Sequence, residues 1–321
     1  MRFQLIAPCA LSLLAPTASI ALAQAPDVTL TPAVVVVGSP ELIHVRLPTD
    51  AAVDGAMLDG AWLGQKLQFF RGRDGQAWYA LAGVDVKAAV GPSTLQITAH
   101  TAAGVATQDF PAGGARPAGQ GRPVAEEHPA IDLSRTIQIL PAHYRTSTLT
   151  VAPKFVEPGP DELARIKAEI ELKSKVFAAS AAQPLWSGDF RAPVNAAPTD
   201  SFGTRRTFNG QLASIHEGMD FRAATGTPVR AGNSGVVVLA RPLYYEGNCV
   251  VIDHGLGLFT ISMHLSRIDV HEGDRVVTGE RIGLSGATGR VTGPHLHWAV
   301  RWQNAYLDPA KMLRMDLSSV R

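Results

Sequence analysis

Cysteine is almost absent: the 321 residues hold only Cys9 and Cys249. Cys9 lies in an apolar leader, so removal of that leader would leave one thiol and no internal disulfide, even in an oxidising compartment. Charge of one sign is equally scarce, with 29 Lys and Arg against 28 Asp and Glu giving a net charge of +1. A balance of that kind supplies no field for nucleic acid or an anionic membrane. Beyond the leader no apolar run is long enough to span a bilayer. There is no solenoid repeat and no His-Glu-x-x-His, so the glutamate base of that motif is missing. What remains, 46% hydrophobic and 18% charged residues, is the composition of a globular protein long enough for two cores.

The opening stretch carries Arg2, an apolar run from Leu5 to Leu22 broken by Pro8 and Pro16, and the small residues Ala21, Ala23 and Ala25. It reads as a secretory signal peptide over residues 1–25, cleaved near Ala23 or Ala25, which predicts a periplasmic or secreted protein. From Pro26, short β-rich runs alternate with turn signals: Val34–Val37, Leu42–Leu47, Leu67–Phe70, Ala77–Ala82 and Leu95–Thr98. That spacing predicts a small antiparallel sandwich. Residues 112–122 are a Gly-, Ala- and Pro-dense linker, and Thr136–Leu140 and Thr148–Val151 are again β-like. Asp161 and Glu162 open an amphipathic helix carrying Leu163, Ile166, Ile170, Val176 and Phe177, expected to brace two modules. After Trp186, glycines punctuate further short β runs. The fold class is therefore mainly β. An N-terminal β-sandwich-like region spans 26–152, a helical linker 153–185 and a C-terminal antiparallel β-domain 186–321.

Ten histidines are present, and three segments stand apart from surface scatter: His216-Glu-Gly-Met-Asp220, Met263-His264-Leu265-Ser266 and Gly293-Pro-His295-Leu-His297-Trp298. In a strand, His295 and His297 face the same way roughly 6–7 Å apart, too far for both to sit ideally on one small ion. One ligand and one catalytic neighbour is the more natural division. His216 and Asp220 have helical spacing, but Gly218 and the β-rich surroundings favour a bent strand or strand-edge loop. Imidazole and carboxylate suit zinc, and three protein ligands leave a fourth position open for water.

These segments resemble the lysostaphin-like M23, or LytM, peptidase family. The likeness rests on His-x-x-x-Asp, the distant His-x-His and the His-Leu-Ser segment. It extends to Ser201-Phe-Gly-Thr-Arg205, to Gly218 and Phe221, and to the run from Gly286 to Trp298. It covers roughly Trp186 to Leu313 and implies a duplicated-hybrid-motif type of fold. It places His216, Asp220 and His297 on the family's zinc-ligand positions, one Zn2+ per chain, and His264 and His295 on its catalytic positions. The implied activity is a metalloendopeptidase cutting peptide stems or cross-bridges of peptidoglycan, with a D,D-type bond as the family-level expectation. Ser262 departs from the aromatic residue many relatives carry two places before the His-Leu-Ser histidine.

Two rival readings belong to other classes. One is a non-catalytic LytM-type regulator that binds and activates a cell-wall amidase, which the full set of ligand-type residues disfavours. The other is a wall-binding adaptor dominated by its N-terminal region. Among single residues, Arg205, Arg206 and Arg290 are candidates to grip substrate carboxylates, with solvated surface arginine as the plainer alternative. Glu217 is expected to be solvated, His254 and His271 to sit in turns, Cys249 to be a packing residue, and Trp298 and Phe221 to pack beneath the site.

Overall fold

The computed structural model describes residues 26–47, 56–100, 131–318 and 320. The expected signal peptide and the linker over 112–122 lie outside these residues. Among the described residues, two α-helices and one short 3-10 helix against twenty-two strands confirm the mainly β reading.

Alternation of apolar and polar residues builds the N-terminal region from two four-stranded antiparallel sheets. In one, the order is Asp27–Thr31, Pro40–Arg46, Trp78–Gly83 and Phe70–Arg71; in the other it is Gln65–Gln68, Met57–Trp62, Gly91–His100 and Ile131–Ile139. Their inward residues, among them Ile43, Val45, Trp62, Leu67, Leu95 and Ile139, belong to one apolar cluster. Two expectations need correction. Val34–Val37 is a turn-rich segment held by a single parallel bridge from Val36 to Leu140. Leu67–Phe70 is not one strand, because the chain changes sheets at Phe69.

The C-terminal region is centred on an antiparallel sheet with the path Pro198–Asp200, Met219–Phe221, Leu296–Trp302, Leu258–Leu265, Gly247–Asp253, Gly235–Leu243, Arg275–Val276; Ala305–Leu307 pairs beside Leu296–Trp302. Leu296–Trp302 is central and buried at all but one position, as a run of apolar residues on both faces requires. A second small sheet joins Pro228–Arg230, Arg281–Leu284 and Arg267–Ile268. A third joins Leu212–Ile215 and Arg205–Phe208 to Thr146–Leu149, which runs parallel to Arg205–Phe208. The last pairing ties the segment before the helix to the C-terminal sheet system.

The helix forms over Pro160–Ala178, with Pro160 at its first position and Asp161 and Glu162 in its first turn. It buries no residue fully. Leu172, Val176 and Phe177 pack on the outer face of the main sheet, against the cluster that includes Cys249 and Phe259. Phe177 meets Phe259 edge-on at 5.1 Å, and Glu169 accepts a hydrogen bond from the Tyr244 N–H at 2.8 Å. Cys249 is a buried packing residue, its thiol pKa pushed up by burial.

Candidate metal centre and cleft

Antiparallel register sets the site. Asp220 pairs directly with His297 across neighbouring strands, Asp200 pairs with Asp220 on one side, and Met263 pairs with His297 on the other. Directly opposed residues in such a pair project to the same face, so the Asp220 carboxylate and the His297 ring meet. Trp298 and Phe221, one residue out of phase, are buried, consistent with packing. His216 follows the strand Leu212–Ile215 and enters from a loop; the helical alternative is excluded. Its N–H donates to the Thr204 carbonyl at 2.9 Å.

Three ligand atoms converge. His216 Nε2 lies 3.0 Å from Asp220 Oδ1 and 2.9 Å from His297 Nδ1, and the latter lies 2.9 Å from Asp220 Oδ1. Ligands held about 2.0–2.2 Å from a shared tetrahedral ion stand roughly 3.3–3.5 Å apart; the observed separations are slightly tighter and need only a small opening. Among the described residues this is the group of His, Cys, Asp and Glu side chains able to hold a metal ion, and all three are buried.

The surroundings prepare each donor. His216 Nδ1–H donates to the Ser201 carbonyl at 2.9 Å, which turns Nε2 toward Asp220 and His297. An outer partner of this kind fixes tautomer and ring orientation. Burial alone would raise the Asp220 pKa, but hydrogen bonds with His216 and His297 outweigh it and hold the carboxyl well below the usual range. Burial lowers His297 to about 4 against the opposing pull of Asp220, so its ring is neutral and able to ligate near pH 7. Arg206 departs from the solvated alternative. Its Nη2 donates to Asp220 Oδ2 at 2.6 Å, and its guanidinium also holds Asp200. It orients a site carboxylate instead of facing outward.

His264 and His295 complete the group. Their ring centroids are 4.9 Å apart, and His264 lies 6.0 Å from His297. His264 Nδ1–H donates to the Thr288 carbonyl and His295 Nδ1–H to the Gly293 carbonyl, at 2.9 and 2.8 Å. Each ring is thereby anchored through Nδ1, which leaves Nε2 as its other nitrogen for proton exchange. Burial, followed by the neighbouring rings of His297 and His295, lowers His264 to about 3. His264 also has φ of +65°, in the left-handed region uncommon for residues other than glycine. The register between Gly247–Asp253 and Leu258–Leu265 shifts between the Asn248–Leu265 and Val250–Ser262 pairs. That bulge re-aims one side chain, and sequence spacing held no signal for it. Ser262 is buried between Val250 and Trp298.

Gly218 lies at a bend between the strands Leu212–Ile215 and Met219–Phe221, and space makes a second demand there: a Cβ would lie 2.4 Å from His297 Nε2. Glu217 is not simply solvated: it pairs at 2.5 Å with Lys87 of the N-terminal region. His254 sits in the hairpin connection between Gly247–Asp253 and Leu258–Leu265, as expected, but is fully buried there: its Nδ1–H donates to the Ser234 carbonyl, its Nε2 meets Thr260 Oγ1, and burial lowers its pKa to about 4. His271 is exposed in its turn near Asp274. Arg205 is exposed, whereas Arg290 lines the same 510 Å³ cleft as the five site residues.

Residues 214–309 match the model of peptidase family M23. Peptidoglycan DD-endopeptidase ShyA of Vibrio cholerae is 55% identical over 83 residues, 26% of this chain and 19% of that protein. DD-carboxypeptidase/endopeptidase Mpg of Neisseria meningitidis is 42% identical over 98 residues, 30% of this chain and 23% of that protein. The matched segment is thus about a fifth of the length of these curated relatives. A solved structure of a peptidase M23 protein from Pseudomonas aeruginosa superposes with a TM-score of 0.57 and 24% identity over 87% of this chain and 94% of that one, which shows a shared fold. The register of the central strands and the His-Asp-His convergence lie within the segment, residues 214–309, that matches peptidase family M23.

Proposed function

We propose that this chain is an exported zinc metalloendopeptidase, periplasmic or secreted, that hydrolyses peptide cross-links of bacterial peptidoglycan, with D,D-endopeptidase specificity. The reading rests foremost on the convergence of His216 Nε2, Asp220 Oδ1 and His297 Nδ1. Two more imidazoles in the same cleft support it, as do relatives that bear DD-endopeptidase names. In this reading His216, Asp220 and His297 hold one Zn2+. Such an ion supplies Lewis acidity, lowering the pKa of water toward about 7 and polarising a carbonyl.

His264 and His295 handle the protons. With each Nδ1–H committed to a backbone carbonyl, each Nε2 is free to accept a proton from the attacking water and return one to the departing amine. Asp220 stays ionised because hydrogen bonding overcomes its burial, so it neutralises positive charge throughout. Arg206 prevents that carboxylate from rotating away. Residues 26–152 form a β-module, 153–185 a linker with a helix and 186–321 the peptidase module; among the described residues no helix is long and apolar enough to cross a membrane.

Purified protein should digest peptidoglycan sacs, stop when a chelator removes the metal, and resume when zinc is restored. His297→Ala should reduce bound zinc from one per chain to near zero and abolish release of muropeptides. Undiminished digestion by a metal-free His297→Ala protein would overturn the proposal.

A further inference from the structure

The charged side chains around the cleft are paired, with one exception. Lys173 bonds Glu246, Glu217 bonds Lys87, and Arg206 bonds both Asp200 and Asp220. Arg290 lines the same cleft and, among the described residues, has neither a carboxylate within ion-pair distance nor a side-chain hydrogen bond. Its guanidinium is held between two aromatic rings, 4.5 Å from the centroid of Phe208 and 4.6 Å from that of Tyr245. Its backbone N–H donates to the Tyr245 carbonyl at 2.9 Å, which fixes the stem of the side chain to the same wall. Rings on its faces leave the edge of the guanidinium open, and that edge carries the donors that match a carboxylate in a fork.

The setting makes this charge costly unless a ligand completes it. Arg290 is partly buried, and desolvation pulls its pKa below the ordinary guanidinium value. A cation that is partly desolvated and immobilised, with Glu246 acting on it only from beyond ion-pair distance, is organised for an anion that arrives from outside. The aromatic walls also select the kind of anion, since a planar carboxylate with apolar atoms beside it fits between rings. Lysine could not serve in this way, because a point charge has no planar fork.

We infer that Arg290 is a substrate-binding residue that recognises a free carboxylate on a peptide bound in the cleft, so that the preferred substrate is a cross-linked stem peptide whose residue next to the scissile amide bears an unmodified carboxylate. This deepens the peptidase reading and rests on it. Arg290 sets specificity by binding and takes no part in proton transfer.

The test uses two synthetic cross-linked stem peptides that differ only in that carboxylate, free in one and amidated in the other. The zinc-loaded wild-type, Arg290→Gln and Arg290→Lys proteins are compared for kcat/KM, for binding by calorimetry and for zinc content. Wild type should prefer the free carboxylate by about 10- to 100-fold, the worth of a charge-assisted hydrogen-bonded pair. Arg290→Gln should bring the ratio close to one, mainly through KM, with zinc content unchanged, and Arg290→Lys should fall between. Equal preference for both peptides in wild type overturns the inference, as does a preference that survives intact in Arg290→Gln. Selective binding of the free carboxylate without turnover would sustain the role of Arg290 while counting against the peptidase reading.

Discussion

Gly218 shows how a single residue can control the centre without carrying any chemistry. The space a methyl group would fill is occupied by the His297 ring, at 2.4 Å from Nε2 and 2.5 Å from Cε1, and by the Trp298 carbonyl at 2.8 Å. The carbonyl belongs to the central strand and cannot yield, so the ring or the loop must move. Gly218→Ala should therefore leave the fold in place while lowering zinc affinity by roughly 10- to 100-fold, the range seen when the support of a ligand is disturbed. Zinc titration against a competing chelator, together with circular dichroism, would check this; unchanged affinity would mean that the loop accommodates the methyl. Arg206 has a related part, because it holds the outer oxygen of a carboxylate whose inner oxygen faces His216 and His297.

At the scale of elements, the helix Pro160–Ala178 lies on the sheet by a few strong contacts and no buried residue of its own. Phe177 supplies the edge-on contact with Phe259 and also receives the Arg301 guanidinium over its ring at 4.4 Å. Lys173 and Glu169 fasten the middle of the helix to Glu246 and to the Tyr244 backbone. Phe177→Ala should cost about 1–3 kcal/mol, and hydrogen exchange should show protection lost in the helix ahead of the central strands. Equal loss in both would mean that helix and sheet unfold as one unit. Sequence periodicity reveals the helix clearly, since Leu163, Ile166, Ile170 and Phe177 recur at its spacing. It does not reveal which of them pack: Leu163 and Ile170 remain more than half exposed, because the sheet reaches only one side and one end of the helix.

For the whole molecule, the N-terminal sandwich and the C-terminal sheet are joined by specific contacts. Asp308 N–H donates to the Gly38 carbonyl, Tyr306 N–H to Asp85, and Phe70 meets Trp186 edge-on at 5.7 Å. Near this junction Glu41 is fully buried, with Oε2 unpartnered and Oε1 2.5 Å from Ser39 Oγ. The Ser39 hydroxyl has one proton and also lies 2.7 Å from the Val36 carbonyl, so a protonated Glu41 that donates to Ser39 satisfies both contacts. Burial raises Glu41 to about 8 from 4.5, against the opposing pull that its contact with Ser39 and the charge of Lys311 exert in favour of the ionised form. Between those values the folded chain keeps a proton that the unfolded chain has lost, so this group makes stability fall as pH rises from about 4.5 to 8. Glu41→Gln should raise stability at pH 8 by about 1–4 kcal/mol and change it little at pH 4. Denaturant unfolding at both values measures this, and an equal effect at both would exclude titration as the cause.

The sequence by itself determined the β-rich class, the position of the helix and the chemical types of the ligand set, because periodicity and motif are local properties of the chain. Tertiary structure decided which of those groups share one cleft. The pairing of Thr146–Leu149 with Arg205–Phe208, the bulge that turns His264, the clamp of Arg206 on Asp220, the burial of His254 and the Glu217–Lys87 bridge all depend on segments distant in the chain. Register and packing between such segments are set by the summed burial of both partners, and no window of neighbouring residues contains that sum.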